Sequence, residues 1–232
     1  MPGKQQKILV AAVGVGLVGS EFVKQLQSIP AASSPFKLVT LFSSSRALYA
    51  PEGESIPASL DWKASLKEST TPADLKVLTD KVRALVQAGQ KVVVVDNTSS
   101  EDVSSYYPIW LEAGVNVATA SKKGLSGESA LFEAIVDASR ASGAKILHES
   151  SVGAGLPVIA PLKELVATGD KVCFNCFHHL CLPNTQQVHK IEGVLSGTMS
   201  YIFNNFSTGS ADGPAFSSVV AVAREKGYTV RF

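Results

Sequence analysis

Gly14-Val15-Gly16-Leu17-Val18-Gly19 follows an apolar run, Lys7 to Val13, and leads into Ser20 to Leu26, where Val18, Phe22 and Leu26 recur at helical spacing. A strand, a G-x-G-x-x-G turn and a helix start in that order make a dinucleotide-binding unit. Gly14 permits the tight turn, Gly16 lets backbone approach a pyrophosphate, and Gly19 lets the helix pack closely on the strand. The free N–H groups and positive dipole end of the helix hold the diphosphate. The competing reading is a structural glycine turn in some other α/β protein.

Outward from this turn, strand-like and helix-like segments alternate. This predicts an α/β fold with a Rossmann-type doubly wound parallel sheet. Phe36 to Phe42 reads as the second strand and ends in Ser43-Ser44-Ser45-Arg46. An NAD-type site places a carboxylate here to grip the ribose 2′-OH. Three hydroxyls and a guanidinium instead tilt the expectation to NADP over NAD, with Arg46 on the 2′-phosphate. The alternative is a polar loop with a solvated arginine. Residues 47–71 read as irregular, with Trp62 packing that arm onto the domain. Asp74 to Ala88 reads as a helix whose face is Leu75, Leu78, Val82 and Leu85.

Lys91 to Val95 is a buried central strand. The polar run Asp96-Asn97-Thr98-Ser99-Ser100 follows at its C-terminal end, where open α/β sheets bind ligands. Thr98 and Ser99 can offer hydroxyls to a nicotinamide ribose, while Ser99 or Ser100 can cap a helix reaching Trp110. Val115 to Ala120 is another strand and delivers Lys122 and Lys123. Ala144 to Ser150 is one more. It runs into Gly153-Ala154-Gly155-Leu156-Pro157, a second glycine turn that suits an anion site, a carbonyl-built cation site or a hinge, ahead of a helix from Val158 to Ala167. Lys190 to Thr198 reads as a strand that leads into a helix starting near Thr198, and Ala215 to Lys226 as a last helix closed by Gly227.

Composition sets outer bounds. The 232 residues are 45% hydrophobic, with 21 Lys+Arg against 20 Asp+Glu and a net charge of +1. No polyanion partner is indicated, so no nucleic acid is expected. No run approaches the roughly 20 apolar residues of a membrane span, and Met1 to Lys7 lacks a signal-peptide core. A cytoplasmic protein with a small-molecule substrate is the expectation. Three cysteines argue against a disulfide framework.

These motifs, with Ala118-Thr119-Ala120-Ser121-Lys122-Lys123 and Glu192-Gly193-Val194-Leu195-Ser196-Gly197-Thr198-Met199-Ser200-Tyr201-Ile202-Phe203-Asn204, occur in an order that resembles homoserine dehydrogenase. The fungal, monofunctional form is the most similar. The resemblance implies an NAD(P)-dependent oxidoreductase interconverting homoserine and aspartate 4-semialdehyde, the branch point of the aspartate pathway towards threonine and methionine biosynthesis. By resemblance, Gly14, Val15, Gly16, Leu17, Val18, Gly19, Thr98 and Ser99 bind the cofactor. Lys123 lies by nicotinamide and substrate and shuttles the hydroxyl proton. Glu149 with the carbonyls of Val152, Ala154 and Leu156 forms a monovalent-cation site, for Na+ for example, and Gly197 and Thr198 line the substrate pocket. The family is homodimeric. The expected division is a cofactor domain at 1–150 and a partial α+β catalytic and dimerisation domain at 151–232.

Two departures stand out. In the family, Gly227-Tyr228-Thr229 continues with a Glu, an Asp-rich loop and a Lys that serve substrate and proton transfer. Here Val230 occupies the Glu position, so a truncated chain with impaired turnover is expected, or a non-catalytic NADP-binding or regulatory fragment. Second, residues 173–188 interrupt a continuous family region. Cys173, Cys176, His178, His179 and Cys181 have metal-site spacing. The preferred reading is a translated intron, because a Val172 codon begins with GT and Gln187 can be CAG. Aspartate-semialdehyde dehydrogenase, a competing enzyme reading, needs a cysteine nucleophile, and the only cysteines lie in that insertion.

Overall fold

The structure, a computed structural model, describes residues 6–168, 195–209 and 213–228. The chain divides after His148 into two compact units.

In the first unit, β1 (Ile8–Val13), β2 (Phe36–Phe42), β3 (Ala47–Tyr49), β4 (Lys91–Asp96), β5 (Asn116–Thr119) and β6 (Ile146–Leu147) form one sheet in the order β3-β2-β1-β4-β5-β6. All neighbours are parallel except β2 and β3. The fold is the expected α/β Rossmann type, with one antiparallel edge strand. The chain order reverses at β1, flanked by β2 and β4, which opens a crevice at the strands' C-terminal ends. The register pairs Val13 with Asp96 and Asp96 with Thr119. The loops after β1, β4 and β5 therefore leave the sheet at one level.

Alternate residues of the strands feed two cores. On one face, Val10, Ala12, Leu38 and Leu41 meet Val23 of α1 (Leu17–Ser28) and Trp62 and Leu66 of α2 (Trp62–Glu68). On the other, Ala11, Val13, Val92 and Val94 meet α3 (Leu75–Gln87), α4 (Glu101–Ser105), α5 (Tyr107–Glu112) and α7 (Ser129–Ser142); the short α6 (Lys123–Ser126) precedes α7. Leu78 and Val82 are buried on α3, as its periodicity predicts, and Asp74 caps it by accepting from Lys76 and Val77 N–H.

Three expectations change. The buried stripe of α1 is Gly19 and Val23, whereas Val18 is 61% exposed. A period of 3.6 fits either stripe, and close packing of Gly19 on the first glycine selects one. The 47–71 arm is not irregular throughout: it holds β3 and α2, with Trp62 buried as expected. The helix reaching Trp110 breaks in two at Tyr106, with Pro108 in the first turn of α5, where no N–H is required. Helix α7, which no motif marks, turns Ile135 and Ala138 inward and ends at a left-handed Gly143 (φ +75°).

In the second unit, α8 (Ile159–Thr168) follows the 149–158 turn, and α9 (Gly197–Phe206) pairs with α10 (Phe216–Glu225). Their shared core is Ile202, Val219 and Ala223. Residues 190–194 of the predicted strand and the 173–188 insertion lie outside the described residues; the rest of that strand is not formed, since Ser196 caps α9 and Gly197 and Thr198 already belong to it.

Candidate cofactor site

The three glycines of the first turn are required for different reasons. Gly14 has φ +80°, and a Cβ on it would sit 2.5 Å from Thr98 Cγ2. A Cβ on Gly19 would sit 1.9 Å from the Gly14 carbonyl oxygen, so the helix meets the turn through bare backbone. A Cβ on Gly16 would meet no protein atom within 4 Å. Nothing inside the chain demands glycine there; the open space lies at the start of α1, where no side chain caps the helix and no acid sits in the first turn. Uncapped N–H groups and the positive dipole end favour an anion at this point. Leu17 is 87% exposed beside it. The Asn97 amide nitrogen, on the loop after β4, is buried without a hydrogen-bond partner. A buried donor without a partner is costly in a native fold. Together these features fit a dinucleotide.

The loops after β4 and β5 are shaped by similar side-chain ladders. After β4, Thr98 N–H donates to Asp96 Oδ1 (2.7 Å), Ser100 N–H to Thr98 Oγ1 (3.1 Å) and Val103 N–H to Ser100 Oγ (3.4 Å). Ser100 is thus the helix cap, and Ser99 is exposed. After β5, Ser121 N–H donates to Thr119 Oγ1 (2.8 Å) and Lys123 N–H to Ser121 Oγ (3.4 Å). The Lys123 ammonium donates to Glu101 Oε1 across the loops at 2.9 Å. That hydrogen bond and charge hold the Glu101 carboxyl below its ordinary range. Beneath both loops, fully buried Tyr107 donates to Asp96 Oδ2 and shares a 2.9 Å hydrogen bond with Thr119 Oγ1. Burial pushes the Asp96 carboxyl up, against the hydrogen bonds from Tyr107 and Thr98. Burial, then the Asp96 charge, pushes the Tyr107 hydroxyl up.

The structure thus brings Gly14, Gly19, Asn97 and Thr98 together at the switch point. Lys123 leaves the sheet at the same level, one strand away. Asn97, Asp96, Glu101, Thr119 and Tyr107 were not singled out from sequence. The spacings D-x-T-x-S and T-x-S-x-K signal the ladders; no local pattern signals Tyr107.

Arg46 behaves differently. Its Nη1 donates to the carbonyls of Lys67 and of Ser69 (3.0 Å) at the end of α2, where a cation suits the helix dipole. The Ser43 hydroxyl closes the turn by accepting from Arg46 N–H (2.9 Å), leaving Ser44 and Ser45 exposed. A cleft of about 730 Å³ opens at Gly16 and runs along the solvent side of α1 past Ser20, Lys24 and Trp62, away from the loops after β4 and β5.

In the second unit, the Glu149 carboxylate accepts from the N–H groups of Val158 (2.6 Å), Ile159 (2.8 Å) and Ala160 (2.8 Å). It thereby anchors the start of α8. Ala154 between them adopts φ +53°. Ser196 caps α9, and the Thr198 hydroxyl donates to the Tyr228 carbonyl. The Cys/His cluster lies outside the described residues. Among those described, no group of three or more His, Cys, Asp or Glu could hold a metal, and no helix is long and apolar enough to cross a membrane.

Comparison with known proteins agrees with this geometry. Residues 14–149 match the family model described as homoserine dehydrogenase, NAD binding domain, and residues 178–231 match that of homoserine dehydrogenase. Homoserine dehydrogenase of Saccharomyces cerevisiae is 38% identical over 220 residues, covering 95% of this chain and 56% of the relative. That of Emericella nidulans is 38% identical over 227 residues, covering 96% and 56%. The chain therefore spans somewhat over half the length of these curated relatives. A Candida auris protein of unknown function superposes with TM-score 0.74 at 36% identity, covering 97% of this chain and 57% of that one. The homoserine dehydrogenase structure from Thermoplasma acidophilum (TM-score 0.67, 21% identity, 95% of this chain and 61% of that one) shares the fold. With the glycine turn, the switch-point crevice and the family model agreeing over more than half its residues, this chain belongs to the homoserine dehydrogenase family.

Proposed function

We propose that this chain supplies the NADP(H)-binding machinery of a homoserine dehydrogenase, an oxidoreductase interconverting L-homoserine and L-aspartate 4-semialdehyde. The observation that carries the reading is the open space at Gly16 against the uncapped start of α1. Backbone N–H groups of residues 16–19 bind the pyrophosphate, and the amide of Asn97 with the hydroxyls of Thr98 and Ser99 binds the nicotinamide half. When bound, the nicotinamide gives and takes the hydride. Lys123 holds and moves the hydroxyl proton of the substrate. Gly197 and Thr198 of the second unit contact substrate.

The preference for NADP rests on the missing carboxylate after β2 and on the exposed hydroxyls of Ser44 and Ser45. Arg46 joins them by exchanging its helix-end carbonyls for a phosphate. A monovalent cation such as Na+ on Glu149 and the carbonyls of Val152, Ala154 and Leu156 belongs to the same proposal. Such a cation steadies the turn and takes no part in proton transfer. A cytoplasmic setting and the family's homodimer complete the reading.

Fluorescence titration of the purified 232-residue polypeptide with NADPH and NADH tests it. Saturable binding with NADPH the tighter ligand is expected, with little homoserine turnover from this polypeptide by itself. A folded chain that binds neither cofactor refutes the assignment.

A further inference from the structure

The phenol of Tyr107 does something that packing does not require. A phenylalanine would fill the same space among Trp110, Leu111 and Ile135, and burying a hydroxyl costs free energy unless it is bonded. This hydroxyl is bonded twice, to groups that end two different strands. Asp96 Oδ2 accepts from it on β4, and Thr119 Oγ1 lies 2.9 Å away on β5. The other oxygen of that carboxylate sets Thr98 N–H, and the same Thr119 oxygen sets Ser121 N–H. The ring is also seated against the lysine loop: a Cβ on Gly124 would lie 3.2 Å from Tyr107 Cε2 and 3.1 Å from Ser104 Cβ.

We propose that Tyr107 is a positioning residue which couples the loop carrying Thr98 and Ser99 to the loop carrying Lys123, so that both are set in one register before cofactor arrives. A change in either loop is transmitted through one phenol oxygen, which donates to Asp96 Oδ2 and accepts from the Thr119 hydroxyl, rather than through the strands. Preorganisation of this kind spares the loops an ordering cost when cofactor binds. The proposal rests on the assignment of Thr98, Ser99 and Lys123 to the cofactor site.

Amide hydrogen exchange on the 232-residue chain and on Tyr107→Phe and Thr119→Val, with NADPH titration of each, tests it. In Tyr107→Phe the ring stays, and exchange should quicken about tenfold at Thr98 and at Ser121 together, the scale of one lost hydrogen bond to a charged group. The dissociation constant for NADPH should rise by a similar factor. Thr119→Val cuts the same bridge from the other side and should quicken Thr98 as well as Ser121. The coupling is overturned if Tyr107→Phe leaves Ser121 unchanged, or if Thr119→Val leaves Thr98 unchanged. It is equally overturned if Tyr107→Phe loses protection throughout β1 and β4, which would make the residue a packing element. A wild-type chain that binds no NADPH removes the cofactor assignment, while the exchange pattern still decides the coupling.

Discussion

In the first unit Leu78, Trp110 and Ile135 are fully buried and the sheet is packed on both faces. Among the described residues, the second closes α9 on α10 around Ile202, Val219 and Ala223 and leaves Met199, Phe203 and Phe216 nearly half exposed. The ring pairs Tyr201–Tyr228 (5.0 Å) and Phe206–Phe216 (5.3 Å) add edge contacts there. The difference is one of surface to volume. A layered sheet removes large side chains from water entirely, whereas a two-helix contact cannot. The groups proposed to hold cofactor therefore stand on a sheet packed on both faces, while Gly197 and Thr198 open a helix whose buried contacts, among the described residues, are with α10.

Core truncation tests this contrast most strongly. Leu78→Ala should destabilise the first unit by about 3–5 kcal/mol, and Ile202→Ala the second by about 2 kcal/mol, since its surroundings are free to collapse or hydrate. Denaturant unfolding followed by a probe in each unit reads both. Equal losses would break the comparison.

Next come the glycines. Gly19→Ala drives a methyl into the Gly14 carbonyl and should cost about 3 kcal/mol. Gly16→Ala meets nothing in the protein, so the melting temperature should hold while NADPH affinity falls about tenfold. A stability loss at Gly16 would show that the open space serves the fold rather than a ligand.

A smaller effect concerns pH. The Asp96 carboxyl is raised by burial, so the folded chain binds its proton more tightly than the unfolded one. The stability it contributes is complete below the unfolded value of about 3.9 and is lost as pH rises through the folded value. Acidification from neutrality should thus relieve the wild type at this residue, and Asp96→Asn should lack that relief. Urea midpoints at neutral and mildly acidic pH decide it, and parallel profiles would remove Asp96 as the source.

The least effect is expected in the second unit. Glu149→Gln keeps one acceptor but loses the charge facing α8, worth about 1 kcal/mol locally. Amides 158–160 should exchange faster while the first unit is unchanged. Loss of protection in β4 would show that the effect is not local to the turn before α8.

Much of the fold is legible in the sequence because its signals are local. Four valines in a row, a glycine turn and an Asp74 cap each act within a few residues. Helix α2 was missed because Pro57 and Gly53 lie close before it, and its one strong anchor, Trp62, carries no periodicity. The placement of Arg46 was illegible for another reason. Its side chain has two good electrostatic partners, a phosphate or the end of a helix, and only the path of α2 shows that the second is within reach.

By itself, the sequence determined that a strand, a glycine turn and a helix start the chain, and that polar loops follow the next strands. Those outcomes depend on backbone sterics and the burial of contiguous apolar runs. Only the tertiary structure decided which face of α1 is buried, because that choice rests on a backbone contact between Gly19 and Gly14. Only the tertiary structure, too, joined the two loops through Tyr107, whose partners lie 11 and 12 residues along the chain and on two different strands. A hydrogen bond between strands is set by sheet register, and register is a property of the assembled sheet.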